Sequence, residues 1–234
     1  MVAMVLAGGF GLRLRKIISD MPKPMASING KPFLEYLILW LRKYGFEKIV
    51  LSVGFKSDII KEHFKTGKQL GVRIDYSEET EPLGTAGAIK QALSFIEEDN
   101  FLVINGDSFL DINLNQLISA HIERRALATI GLTEVEDSSR YGTIRLDGNK
   151  IIEFTEKNTE GKGWINGGCY YFNKKINEFI KPGKVSLEKE VLPFLIQESF
   201  FCFKASGFFI DIGIPTDYYH LSANSKMLEN LVGI

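Results

Sequence analysis

A chain of 234 residues is long enough to bury a substantial core within one domain. Hydrophobic residues make up 45% and charged residues 24%, as in globular proteins, and the formal net charge of −1 argues against a nucleic-acid-binding protein with a basic surface. The two cysteines, Cys169 and Cys202, are too few for a disulfide framework, and no apolar run approaches the roughly 20 residues of a membrane span. Because no signal peptide precedes the first apolar run, we expect a cytoplasmic protein with two reduced, buried cysteines.

The first half of the sequence alternates short apolar runs with amphipathic stretches, which is typical of βα units in a parallel sheet. Strands are predicted at VAMVLA, KIVLSVG, VRIDYS and FLVING. Helices are predicted between them at KPFLEYLILWLRKYG, at SDIIKEHFK with Ser57 as its cap, and at TAGAIKQALSFI. Each of these strands ends in a loop, and the loops carry the polar residues that suggest a site.

The pattern changes in the second half. After a helix near LNQLISAHIERR and a strand at LATIGLTE, two alternating runs flank Asp147-Gly148-Asn149, which predicts a hairpin. A long strand at WINGGCYYFN, helices near KINEFI and LEKEVLPFLIQ, a return through FFCFKASGFFIDIG and a closing helix from about Pro215 follow. We therefore predict one α/β domain, 1–234, whose mixed, mostly parallel sheet is flanked by helices and carries a small β-rich insertion.

A glycine-rich turn, LAGGFGLRL, follows the first predicted strand, and its glycines let backbone N–H groups approach a ligand closely. Two cations follow, Arg13 and Lys23, the latter between prolines that restrict its backbone. Leu14 stands where a dinucleotide fingerprint needs its third glycine, and the turn lacks the final Gly-Lys-Ser/Thr of a P-loop. Backbone donors with two cations indicate a triphosphate site.

Two aspartates follow apolar runs, Asp107 in INGDSF and Asp211 in FFIDIG. Isolated carboxylates of this kind suggest a shared hard cation, and Mg²⁺ typically takes one or two carboxylates and completes its shell with water and substrate phosphates. No nucleophile–histidine arrangement is readable around His63, His121 and His220. The expected chemistry therefore works without a histidine base.

Further candidate residues lie in three other stretches, although a capped helix start or solvated surface charges would account for each of them alone. EPLGTAGAI has glycines that permit backbone contact with a flat ligand edge. EKNTEGKGWINGGCYY and SLEKE place carboxylate, ammonium and amide groups where the β-rich insertion rejoins the sheet and at a helix start.

Taken in chain order, these motifs resemble the sugar-1-phosphate nucleotidyltransferase family. LAGGFGLRL followed by PKP is similar to the family signature, G-G-x-G-x-R-L with a downstream lysine, and the resemblance continues through PLGTAGAI, NGD, FTEK, NGGCYYF, SLEKEVLP and FIDIG. Leu12 stands where the signature commonly has threonine, so one hydroxyl beside the phosphates is lost. The resemblance implies the Rossmann-like nucleotide-diphospho-sugar transferase fold, with the β-rich insertion binding the sugar.

The resemblance also implies the roles of the site residues. It places nucleoside triphosphate binding at Leu6, Ala7, Gly8, Gly9, Gly11, Arg13, Lys23, Glu81, Gly84, Thr85 and Asp107. Binding of the sugar phosphate is assigned to Gly142, Glu156, Lys157, Asn166 and Glu188. The catalytic residues would be Arg13, Lys23 and Asp107, and the expected cofactor is Mg²⁺ on Asp107 and Asp211.

Within the family, SDMPKPMASINGKPFLEYLILWL and FFIDIGIPTDY resemble the heptose 1-phosphate guanylyltransferases. This resemblance implies transfer from GTP to D-glycero-α-D-manno-heptose 1-phosphate, giving pyrophosphate and GDP-heptose for a cell-surface polysaccharide. The expected partners are these two substrates, with neither nucleic acid nor membrane, and a homodimer is one option for the assembly.

Three alternatives compete with this interpretation. Uridylyl, thymidylyl or guanylyl transfer to glucose, mannose or an N-acetylated sugar stays open, because the specificity depends on pocket shape. A metal-dependent glycosyltransferase is disfavoured, since the aspartates nearest a D-x-D pair, Asp107 and Asp111, have the wrong spacing. A non-catalytic regulatory subunit would be expected to lack Arg13, Lys23 or an aspartate.

Overall fold

The computed structural model describes residues 1–9, 21–155 and 161–233. The strands within these ranges are β1 (Val2–Leu6), β2 (Ser27–Ile28), β3 (Lys31–Pro32), β4 (Lys48–Val53), β5 (Arg73–Glu78), β6 (Asn100–Asn105), β7 (Ser108–Leu110), β8 (Ala128–Val135), β9 (Ile144–Asp147), β10 (Lys150–Phe154), β11 (Gly163–Asn173), β12 (Phe200–Lys204) and β13 (Phe209–Asp211). The α-helices are α1 (Phe33–Lys43), α2 (Ser57–Phe64), α3 (Gly84–Ala92), α4 (Leu114–Glu123), α5 (Leu192–Leu195), α6 (Pro215–Ala223) and α7 (Ser225–Val232). A π-helical segment, Leu187–Val191, directly precedes α5.

The central sheet has nine strands in the order β5-β4-β1-β6-β11-β8-β12-β10-β9. β5, β4, β1 and β6 are parallel to one another, and β8 and β12 form a second parallel pair. β11 is antiparallel to both of its neighbours, and β10 is antiparallel to both of its own. Among the strands of the described ranges, seven of these nine point the same way, so the predicted mixed, mostly parallel sheet is confirmed.

The predicted hairpin forms between β9 and β10, where Asp147 pairs with Lys150 across a two-residue turn. The hairpin joins the main sheet, because Lys150 pairs with Phe201 of β12. The β-rich region is therefore built as an extension of the central sheet at its far edge.

Both faces of the sheet are covered, which explains why its strands read as continuous apolar runs. Successive side chains of a strand point to opposite faces. Thus Ala3 and Val5 join the core under α1, α2 and α4, whereas Val2 and Met4 join the core under α3 and α5. Within the described ranges, no helix has both the length and the apolar character needed to cross a membrane.

Two local predictions were wrong or incomplete. Ser57 does not cap α2: it is the first helical residue, Lys56 precedes it in a left-handed conformation, and the Ser57 hydroxyl donates to Glu78 Oε1 at 2.5 Å. The return FFCFKASGFFIDIG forms two strands, of which β12 joins the main sheet and β13 pairs with β7. In that pair Asp211 lies opposite Ser108, so the two predicted aspartates come close together.

Candidate active site

A cavity of about 610 Å³ lies where β1, β4, β5 and β6 end, which is where ligands of open α/β sheets bind. Every predicted nucleotide-binding residue that the structure describes lines it: Leu6, Ala7, Gly8, Gly9, Lys23, Glu81, Gly84, Thr85 and Asp107. Gly11 and Arg13 lie outside the described residues. The cavity thus brings together segments that lie far apart in the sequence, from Leu6 to Lys184.

Close backbone packing forms the floor of the cavity. The Gly106 N–H donates to Leu6 O at 2.9 Å, and a Cβ at Gly106 would lie 2.7 Å from that oxygen. A Cβ at Gly8 would meet the carboxylate end of the Glu79 side chain, and one at Gly54 would lie 3.1 Å from Gly8 O. These glycines allow the loops after β1, β4 and β6 to approach one another.

The start of α3 forms a second wall, and it depends on Gly84, which has φ of +70° and so adopts the left-handed conformation. A Cβ there would also lie 2.5 Å from Val185 O, a backbone atom that cannot rotate away. The strain and the steric clash both exclude larger residues at this position.

We expect Gly84→Ala to lower the free energy of unfolding by about 3 kcal/mol, because it adds both left-handed strain and a backbone clash. The matched control is Gly148→Ala in the β9–β10 turn, where φ is +60° but a Cβ meets nothing within 4 Å. That variant should lose about 1 kcal/mol, the cost of the strain alone. Urea denaturation measures both, and equal losses would contradict the predicted clash.

Lys23 connects the two predicted metal ligands. Its Nζ lies 2.7 Å from Asp107 Oδ2 and 3.5 Å from Asp211 Oδ1, and its side chain is only 12% exposed. The Gly213 N–H donates to Asp211 Oδ1 at 2.6 Å. One ammonium therefore balances two neighbouring carboxylates.

The electrostatics of Asp107 and Asp211 favour a divalent cation over the single positive charge of the Lys23 ammonium. Burial raises the pKa of Asp211, the negative charge of Asp107 raises it further, and Lys23 opposes the effect. Asn105 Oδ1 and Ser108 Oγ, on either side of Asp107 in the sequence, are buried without hydrogen-bond partners among the described residues. A divalent cation on the two carboxylates would relieve their mutual repulsion, so the residues present fit a metal ion.

No group of three or more His, Cys, Asp or Glu side chains that could hold a metal occurs in the part of the chain that the structure describes. A metal ion on Asp107 and Asp211 would therefore complete its shell largely with water and substrate phosphates, as Mg²⁺ commonly does.

The structure describes three of the five residues predicted to bind the sugar phosphate. Glu188 Oε2 accepts hydrogen bonds from Thr85 Oγ1 at 2.8 Å and from Ser186 Oγ at 3.0 Å, which brings it to the wall of the cavity. Asn166 lies at a register shift of β11, where its Nδ2 donates to Tyr170 Oη at 2.7 Å. Tyr170 is fully buried, and burial together with the charge of Glu188 raises its pKa well above the usual range.

Of the remaining residues predicted to bind the sugar phosphate, the structure describes Gly142 alone. A Cβ at Gly142 would lie 2.9 Å from Thr155 O, and Gly142 does not line the cavity. Glu156 and Lys157 lie outside the described residues.

Sequence reasoning missed four polar residues of the cavity: Glu79, Thr80, Asn105 and Lys184. Glu79 accepts from Ser52 Oγ at 3.2 Å and from the Leu83 N–H at 3.0 Å, so it shapes the turn before α3, whereas Glu81 is exposed. No pattern in EETEP distinguishes Glu79 from Glu81. Lys184 brings an exposed ammonium to the same cavity, and no motif marks it in the sequence.

None of the three histidines lines the cavity. His121 is 1% exposed, its Nδ1 lies 2.9 Å from Thr129 Oγ1, and its Nε2 lies 3.3 Å from Asn100 Oδ1. Asn100 begins β6, so His121 lies near the edge opposite the cavity. Burial lowers the pKa of His121 to about 4.

His121 makes the fold sensitive to acid. Because burial lowers the pKa of His121 in the folded chain, the unfolded chain takes up a proton first as the pH falls. The contribution of His121 to the free energy of unfolding is therefore complete above pH 6.5 and declines as the pH falls towards 4. We expect this decline to cost about 3 kcal/mol. His121→Gln, which cannot titrate, should flatten the curve of unfolding free energy against pH between these values, and parallel curves for the two proteins would refute the prediction.

Both cysteines are free and buried in the central sheet, Cys169 in β11 and Cys202 in β12. Burial raises the pKa of Cys169 to about 12 and also raises that of Cys202. Neither thiol lines the cavity.

A family model described as nucleotidyl transferase matches residues 2–227. The D-glycero-alpha-D-manno-heptose 1-phosphate guanylyltransferase of Campylobacter jejuni is 43% identical over 232 residues, covering 96% of this chain and 100% of that protein. The protein of the same name from Aneurinibacillus thermoaerophilus is 41% identical over 220 residues, covering 93% and 95%.

A solved structure is also similar along nearly the whole chain. HddC from Yersinia pseudotuberculosis, described as complexed with GMP-PN, is 37% identical, with a TM-score of 0.85. The match covers 96% of this chain and 99% of that one.

Proposed function

Because the chain belongs to the nucleotidyl transferase family, we propose that it transfers a guanylyl group from GTP to D-glycero-α-D-manno-heptose 1-phosphate. The chain is a sugar-1-phosphate nucleotidyltransferase, and its substrates are a nucleoside triphosphate and a sugar 1-phosphate. The choice of GTP and the heptose is supported by two bacterial relatives of that name at 43% and 41% identity. The proposed products are GDP-heptose and pyrophosphate.

One structural observation supports this activity above the others: Gly8, Gly9, Lys23 and Asp107 line the same cavity, and the Lys23 ammonium contacts both Asp107 and Asp211. In the proposed complex, backbone N–H groups of the loop and the Lys23 ammonium bind the triphosphate. Arg13 is proposed to contact the reacting phosphates. The walls formed by Glu81, Gly84 and Thr85 would then lie against the guanine.

Asp107 and Asp211 are proposed to hold Mg²⁺. Enzymes of this family generally use a divalent metal ion, and when bound it neutralises charge on the phosphates. Before it binds, the Lys23 ammonium balances the two carboxylates. With a metal ion held by the two carboxylates, the Lys23 ammonium would be available to pair with the triphosphate.

The proposed reaction is an in-line displacement at the α-phosphorus of GTP. A phosphate oxygen of the sugar 1-phosphate forms the new P–O bond, and the bond between the α-phosphorus and the oxygen bridging to the β-phosphorus breaks. Because a phosphate monoester has a second pKa near ~6, the nucleophile is largely a dianion at neutral pH and needs no general base. The protein's tasks are to position the two anions and to neutralise their charge.

On the sugar side, we assign the sugar phosphate to Lys157 and Gly142 and the sugar hydroxyls to Glu156, Asn166 and Glu188. The position of Glu188 beside Thr85 supports this arrangement, because it places a carboxylate next to the nucleotide cavity.

A substrate panel tests the proposed function. Purified protein is mixed with Mg²⁺ and with each of GTP, ATP, CTP, UTP and dTTP against the 1-phosphates of the heptose, mannose, glucose and N-acetylglucosamine, and pyrophosphate release is measured. We expect GTP with the heptose phosphate to give kcat/KM at least about tenfold above any other pair. A pocket with polar groups strongly rejects a nucleobase whose hydrogen-bonding edge does not match them. A higher value for UTP or dTTP with glucose 1-phosphate would refute the substrate pair. No turnover with any pair would favour a regulatory subunit.

A further inference from the structure

The hydroxyl of Thr85 is held between two groups of the opposite wall. Its Oγ1 donates to Glu188 Oε2 at 2.8 Å and accepts from the Leu187 N–H at 2.8 Å. A threonine hydroxyl has one proton to donate, and here that proton is used by Glu188. A guanine acceptor would have to compete with the carboxylate for it.

Glu188 is fixed through one of its two oxygens. Ser186 Oγ also donates to Oε2, at 3.0 Å, so two hydroxyls converge on the same atom. Glu188 Oε1 has no hydrogen-bond partner among the described residues, and the side chain is only partly buried. The free oxygen therefore keeps its full capacity to accept a hydrogen bond from a ligand hydroxyl.

Backbone hydrogen bonds make the two segments into one unit. Val185 O accepts from the N–H groups of Ala86 at 3.0 Å and Gly87 at 3.3 Å, and the Val185 N–H donates to Leu83 O at 2.8 Å. Because these bonds lie on both sides of Thr85, its hydroxyl has a fixed place relative to Glu188.

We propose that Thr85 is a positioning residue for the sugar phosphate, acting through Glu188, rather than a residue that reads the nucleobase. Its hydroxyl orients the carboxylate so that Oε1 accepts a hydrogen bond from a sugar hydroxyl. The inference rests on the proposed function in one respect, namely that Glu188 contacts the sugar. It changes the role assigned to Thr85, which still lines the nucleotide cavity.

The test is the variant Thr85→Val, which keeps the shape of the side chain and removes the hydroxyl. We expect the KM for the sugar 1-phosphate to rise about tenfold, because a hydrogen bond to a charged group is lost, while the KM for GTP stays within about twofold. Thr85→Ser, which keeps the hydroxyl, should restore the KM for the sugar phosphate to within about threefold of wild type. Ser186→Ala should raise the same KM by a smaller factor, and it provides a second test if Thr85→Val folds poorly.

The matched control is Thr66→Val, the same change at an exposed threonine outside the cavity lining, which should leave both KM values unchanged. A rise in the KM for GTP alone would assign Thr85 to the nucleobase and overturn the inference. A loss of thermal stability with equal changes in both KM values, not restored by Thr85→Ser, would overturn it in favour of a structural role.

The outcome for Thr85 is separable from the outcome for the substrate pair. If the wild-type enzyme prefers another pair, the proposed substrates are wrong, and the same KM comparison with the preferred pair still decides the role of Thr85.

Discussion

Asp107→Asn and Asp211→Asn should each lower kcat by about three orders of magnitude. The proposed metal ion stabilises charge on the transferring group by several kcal/mol, and each 1.36 kcal/mol corresponds to a tenfold change in rate. Both residues lie at strand ends beside the cavity and outside the hydrophobic core, so the fold should be retained. Steady-state kinetics with GTP and the heptose phosphate, together with circular dichroism, measures both effects.

The matched control is Asp111→Asn, four residues beyond Asp107 and outside the cavity lining. It should keep kcat within about twofold of wild type. Near-normal turnover of either Asp107→Asn or Asp211→Asn would remove the two-carboxylate metal site from the proposal. A large loss in Asp111→Asn would instead indicate a different set of acidic residues.

Lys23→Met should have the next largest effect, lowering kcat/KM for GTP by about a hundredfold. The change removes an ammonium that pairs with the triphosphate but leaves a side chain of similar length. The KM for the sugar phosphate should change by less than about threefold, because that anion is assigned to Lys157.

A second measurement on Lys23→Met does not depend on catalysis. Without the ammonium at 2.7 Å from Asp107 and 3.5 Å from Asp211, a divalent cation no longer has to displace an internal counter-charge. Calorimetric titration of the substrate-free protein with Mn²⁺ should therefore show tighter binding than in the wild type. Lys31→Met, which breaks the lysine–carboxylate pair with Glu35, is the control and should bind Mn²⁺ as the wild type does. Unchanged affinity in Lys23→Met would show that the ammonium does not compete with the metal.

Sequence periodicity predicted most of the secondary structure, because the buried strands and amphipathic helices of an α/β fold carry strong patterns. Asp147-Gly148-Asn149 identified the β9–β10 turn, and Asp107 and Asp211 were recognised as residues that follow apolar runs. Periodicity does not show which strands pair with each other. The pairing of β13 with β7, which places Asp211 near Asp107, follows from tertiary packing.

The directions of individual side chains could not be predicted from the sequence either. Ser57 precedes a helical pattern as a capping residue would, but its hydroxyl instead bonds Glu78 on a neighbouring strand. Thr85 has the sequence position of a residue facing the ligand, yet its hydroxyl is directed to Glu188, 103 residues away. Both outcomes depend on partners distant in the sequence, which local chemistry cannot identify.

The two buried thiols can be used to measure how the central sheet opens. With a pKa of about 12, only roughly one Cys169 side chain in ten thousand is a thiolate at pH 8, and the folded strands also block access to it. Alkylation must therefore wait until β11 separates from β6 and β8, whereas labelling of Cys202 requires β12 to separate from β8. The two labelling rates, followed separately by mass spectrometry, would show whether the sheet opens as one cooperative unit or from the β12 side first.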